Sequence, residues 1–255
     1  MSGLQDPSGA PQTSAKPGQD RDVLAEALPY VVPYAAFGVL TMAADYLPET
    51  YRSAVYLVKV LVVGYLLWHY RRSYTEVSVR WSSALVVAAL VGVLVIVAWL
   101  GLDPFYPQSS DEWRALQQTG LQHFEHADKL TGAFDPFAEG SLVPPPVALL
   151  FRLIGAVLLV PVFEELFWRS WLIRFLVKDN FAAVPIGRFT WLSFLATVAF
   201  FGLTHHEWLA ALFCGAAFNL LLYWRRDLFT CIVAHAAANA ALAAWVLLQG
   251  AWQFW

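Results

Sequence analysis

Seven apolar runs, at about 27–47, 53–70, 81–102, 146–178, 189–205, 208–224 and 228–249, fix most of what this chain can fold into. Roughly 20 apolar residues suffice to cross a bilayer as a helix. Lipid cannot satisfy backbone polar groups, so a spanning segment is a helix or part of a closed barrel. Barrel strands would be shorter and would alternate in polarity. These runs are long and continuous, so they predict helices. Composition agrees: 59% of the 255 residues are hydrophobic and 14% are charged, against about 25% charged in an ordinary soluble domain. The expected fold is all-α: a polytopic transmembrane bundle of seven spans, or eight if 146–178 is broken. Pro29 and Pro33 weaken the first run most.

The organisation follows from what lies between the runs. Residues 1–26 are rich in Gly, Pro, Ser and Asp and read as a disordered tail. Residues 27–102 carry three spans, and 103–145 form an extramembrane loop. Within that loop Trp113, Leu116, Leu121 and Phe124 mark one face of a surface helix. Residues 146–249 form the polar-bearing core. Cys214 and Cys231 sit in apolar runs and read as small core residues. The net charge of −3 says nothing about nucleic acid, and no basic cluster suggests it, so no nucleic-acid partner is expected.

Short-loop arginines and lysines orient a membrane protein. Arg71, Arg72 and Arg80, then Arg174, Lys178 and Arg188, then Arg225 and Arg226 all fall on one side if each run crosses once. That side is expected to be the cytoplasm, with the protein multi-pass in the inner (plasma) membrane.

An ionisable group at membrane depth costs several kcal/mol unless paired or wet, and marks function by default. The last four spans hold Glu164, Glu165, Arg169, Arg174, His205, His206, Glu207, Asn219, His235 and Asn239. Glu165 and Arg169 are four apart with the acid N-terminal, the favourable order for a helical ion pair. Glu164 is rotated about 100° away and is left free, a candidate general base. His235 and Asn239 share a face, and the residues between them are alanines, which allow another helix or a substrate backbone to approach. Such a pair can donate hydrogen bonds to an oxyanion. Phe201 and His205 repeat the spacing. Asn219 reads as a helix–helix contact. Alone, a Glu–Arg pair is more often structural and a histidine is often a packing residue. The argument rests on three helices each offering a matched pair, with nothing comparable in the first three spans.

The ordered set Glu164-Glu165-x-x-x-Arg169, Phe201-x-x-x-His205, His235-x-x-x-Asn239 resembles the signatures of the CPBP family of intramembrane glutamic proteases, which includes the type II CAAX prenyl endopeptidases. The context "VPVFEELFWRSWLIRFL" looks closer to the branch found with exosortase (PEP-CTERM type) sorting systems. The resemblance covers about 146–245. It implies that Glu164 activates water, that His205 holds that water, that His235 and Asn239 form the oxyanion hole, and that Glu165, Arg169 and Phe201 support the site. It implies a membrane-tethered protein or peptide as substrate, exosortase-system proteins as partners, and no cofactor. Zinc on Glu164, His205 and His235 stays open, against which stands the lack of a His-Glu-x-x-His helix. Two other readings are a non-catalytic membrane scaffold or bacteriocin-immunity-type protein, and a transporter. The transporter is disfavoured because the polar residues occupy one half only.

Simple spans separate the motifs. Counted from Val147, Glu164 lies about 25 Å down its helix, whereas His235 lies about 14 Å from Arg226 at the basic end. A tilted or displaced fourth run, or a fifth that starts deep, is expected.

Overall fold

The computed structural model describes residues 17–44, 46–105 and 134–255. The expected surface helix around Trp113–Phe124 lies outside these residues, as do 1–16 of the expected tail. The described residues contain helices and turns and no strand. Seven apolar helices carry the fold: α1 (Pro17–Ala44), α2 (Arg52–His69), α3 (Ala84–Leu102), α4 (Pro145–Phe175), α5 (Trp191–Leu203), α6 (Trp208–Arg225) and α7 (Leu228–Gln249). Six have the length and apolarity to cross a membrane, and α5, with 13 residues, is shorter. The chain is a multi-pass helical membrane protein.

Helix α1 starts ten residues before the expected boundary and runs through Pro29 and Pro33. Pro17 opens it, a position where the missing N–H costs nothing. Internal prolines are tolerated in membrane helices because neighbours re-satisfy the freed carbonyls; here the Tyr74 hydroxyl donates to the Pro29 carbonyl at 2.8 Å. Tyr74 lies in the connector 70–83, and burial pushes its phenol well above the ordinary value, so it stays protonated as a donor.

The two ends of the bundle are internally consistent with one crossing per helix. At the Arg-rich end Tyr30 donates to the Ser73 carbonyl and to Glu76, both at 3.2 Å, and its ring meets Phe181 edge-on. At the other end the Leu142 N–H donates to the Thr50 carbonyl and the Phe134 N–H to the Trp255 carbonyl. Helix α4 sits centrally, touching α1, α2, α5 and α7, while α7 packs against α3 and α6.

The longest run does not break. Instead α4 contains two π-helical segments, Ile154–Leu159 and Leu166–Leu172. Such i→i+5 insertions rotate side chains relative to an α-helix and occur often at functional sites.

The alanines of α7 are covered by a helix. Gly92 of α3 lies so close that a Cβ there would overlap the Ala234 carbonyl oxygen and sit 2.9 Å from the Ala238 nitrogen. Between α5 and α6, the buried Asn219 amide donates to Thr197 at 2.8 Å, a helix–helix contact as expected. Cys214 and Cys231 are buried free thiols.

Candidate active site

The second π segment of α4 begins directly after Glu165, and the site grows from there. Glu165 is fully buried and accepts a hydrogen bond from Arg169 at 3.2 Å. The same oxygen, Oε1, lies 2.8 Å from Nδ1 of His235, seventy residues away on α7. The local pair expected from spacing is therefore a three-membered chain, Arg169–Glu165–His235. The carboxylate assigns the histidine tautomer: Nδ1 carries hydrogen and Nε2 faces away from Glu165. The Arg169 guanidinium stacks 4.7 Å from the Phe201 ring centroid and 5.5 Å from that of Phe218. Phe218 also borders the His235 ring, at 5.3 Å.

Glu164 points elsewhere. Its Oε2 is buried and has no hydrogen-bond partner. It lies in the electrostatic field of His235, Glu165 and Arg169, and the Tyr34 phenol of α1 lies in its own. Tyr34 is held by stacking on Phe167 at 4.0 Å and by edge contacts to Phe163 and Trp168. Five of the seven buried, unpartnered side-chain polar atoms among the described residues lie between Glu164 and Trp171. Native interiors hold few such atoms, and each calls for a reason such as catalysis.

His205 sits in the turn joining α5 and α6. Its ring folds back one helical turn: Nδ1 is 2.8 Å from the Phe201 carbonyl and the ring centroids are 4.5 Å apart. A carbonyl only accepts, so Nδ1 carries the hydrogen and Nε2 is left as an acceptor. Trp99 of α3 closes the other side edge-on at 5.8 Å. His205 is half-buried, while His206 is exposed. Arg169 and His235 act electrostatically on His205.

The expected geometric conflict between spans is resolved by depth from the Arg-rich end. Glu165 lies nine residues before Arg174, about 13 Å in, and His235 lies seven residues past Leu228, about 10 Å in. The short α5 and the folded-back ring bring His205 toward them.

Asn239 lies one turn from His235, as the spacing requires, but its Nδ2 donates to the Ala156 carbonyl at 2.7 Å, inside the first π segment. Among the described residues no group of three His, Cys, Asp or Glu side chains is placed to hold a metal ion.

Residues 146–241 match the family model of the Rce1-like proteins, described as type II CAAX prenyl endopeptidases. This segment is similar to the Rce1-like family. The resemblance carried by Glu164–Arg169, Phe201–His205 and His235–Asn239 falls entirely within the matched residues. No curated protein and no solved structure matches the chain.

Several polar residues of the bundle carry no local sequence signal as pairs. Lys59 of α2 is buried, donates to Thr41 at 2.8 Å and lies over the Phe37 ring. Arg152 of α4 rests on Tyr56, Phe134 and Trp255. Glu76, in the connector, accepts from Ser170 and pairs with Arg174 at 3.1 Å. A charge inside an apolar run would have flagged Lys59 and Arg152; nothing in the sequence flags Glu76.

Proposed function

We propose that this protein is an intramembrane endopeptidase that hydrolyses a peptide bond of a membrane-tethered protein or peptide. The observation that carries the reading is the contrast between two adjacent carboxylates, each of which keeps one buried oxygen without a partner. Glu165 is engaged through Oε1 by Arg169 and His235, and neither of them hydrogen-bonds Glu164.

In the proposed reaction a water molecule is held by two acceptors, Glu164 and Nε2 of His205. Its oxygen attacks the scissile carbonyl carbon as one hydrogen passes to Glu164. The carbonyl oxygen becomes an oxyanion beside His235 and Asn239. The C–N bond then breaks and the leaving nitrogen takes the proton from Glu164. The basic clusters support a cytoplasmic orientation in the plasma membrane, and the sequence context supports a link to exosortase-type sorting proteins.

The test compares membrane-protein termini in cells carrying the native protein and Glu164→Gln, a nearly isosteric change. New termini that vanish with Glu164→Gln are expected. Identical termini would refute the reading and favour the non-catalytic scaffold, for which the engagement of Asn239 by Ala156 is the specific support.

A further inference from the structure

Part of the donor set implied by the motifs is committed within the fold: Asn239 Nδ2 donates to the Ala156 carbonyl and His235 Nδ1 to Glu165. An acyl-transfer site needs donors aimed at the developing oxyanion, within about 3 Å of it. A different donor of the right kind is present. The Nε1–H of Trp168 is buried and has no hydrogen-bond partner, and its residue is 3% exposed.

Its position is specific. Trp168 follows Glu164 by four residues, so it lies about one helical turn away. Its ring meets Tyr34 edge-on at 5.4 Å and Phe201 at 5.6 Å. Tyr34 packs on Phe163 and Phe167, around the turn that carries Glu164, and Phe201 is the ring on which His205 folds. The indole therefore fills the space between the Glu164 side and the His205 side of the site. A buried N–H left unmade carries the full desolvation cost. Ring faces return only part of it. A ligand carbonyl would return it whole.

Resting on the endopeptidase reading above, we infer that Trp168 is a catalytic residue whose indole N–H donates a hydrogen bond to the scissile carbonyl oxygen. As water attacks and the carbonyl electron pair moves onto oxygen, that bond strengthens. As the C–N bond breaks and the leaving nitrogen takes the Glu164 proton, it relaxes. No atom is transferred through the indole.

The experiment uses the full-length protein in its own cells, reading the rate at which Glu164-dependent membrane-protein termini appear after induction. Three variants are compared: Glu164→Gln, Trp168→Phe, and Trp168 replaced by 3-benzothienylalanine, which keeps the ring shape and puts sulfur in place of N–H. Loss of one oxyanion donor slows such reactions about 100-fold or more, so both Trp168 variants are expected to slow the termini by about that factor. The sulfur isostere guards against misfolding of Trp168→Phe. If the isostere cleaves within about threefold of the native rate, the N–H is spent on ring faces, and the inference is overturned while the endopeptidase reading stands. If Glu164→Gln leaves the termini unchanged, the endopeptidase reading falls and the inference with it.

Discussion

Replacing each adjacent glutamate by glutamine should separate stability from chemistry. Glu165 is fully buried, and its Oε1 serves both Arg169, 1% exposed, and His235. Glutamine there leaves the Arg169 guanidinium buried without a counter-charge. Breaking one partner of a buried pair typically costs about 3–5 kcal/mol. At about 2–4 °C per kcal/mol for a chain this long, the midpoint of thermal unfolding in detergent should fall by on the order of 10 °C. Glu164→Gln removes no hydrogen bond of its unpartnered Oε2 and should shift the midpoint by less than about 2 °C. Intrinsic fluorescence follows both transitions, since the chain holds 12 tryptophans. A second arm checks the cause. Glu165→Leu combined with Arg169→Met removes both charges, and such replacements are often neutral or stabilising, so the double variant should recover at least half of the loss. Equal midpoints for the two single variants, or a double variant worse than Glu165→Gln, would refute the assignment of Arg169 and His235 to Glu165.

Two more outcomes follow from close contacts. Gly92→Ala should prevent α3 from seating on α7, because the new methyl meets Ala234 backbone rather than a movable side chain; the folded yield by size-exclusion chromatography should drop severely, while Gly38→Ala, with nothing within 4 Å, should be silent. Glu76→Gln weakens the tie from the connector 70–83 to Ser170 and Arg174, and limited proteolysis within that connector should accelerate several-fold while the global unfolding midpoint moves less than with Glu165→Gln.

The sequence made the helices legible because apolar length is a strong signal that needs no partner. It also exposed Glu165–Arg169, because an i,i+4 pair is written in one stretch. It could not show that Glu165 has a second partner at position 235, or that Asn239 spends its amide on a carbonyl of a π segment. Both facts depend on how α7 lies against α4. The alanines of α7 announced a close approach, but only Gly92 across the interface decides that a helix occupies it. Lys59 and Arg152 stand out as charges inside apolar runs, but their partners lie on other helices, loops or the C-terminal turn and so are not legible from the local sequence. Helix α1 reaches back to Pro17 through a polar stretch that carries no apolar signal.

The family match begins at residue 146, beyond the N-terminal helices, yet those helices border the candidate site. Tyr34 of α1 packs on Phe163, Phe167 and Trp168 around Glu164, Trp99 of α3 closes the edge of His205, and Gly92 of α3 lies against Ala234 and Ala238, on either side of His235. None of these three is a charged residue in an apolar run, so none stands out from the sequence. A catalytic carboxylate must be shielded from lipid on one side and reached by water and substrate on another. Helices α4 to α7 supply the acids, imidazoles and amide; α1 and α3 supply the apolar walls that hold them apart from lipid. The polar motifs therefore localise the chemistry, while the geometry that would make it work is set by aromatic and glycine contacts from outside the matched segment.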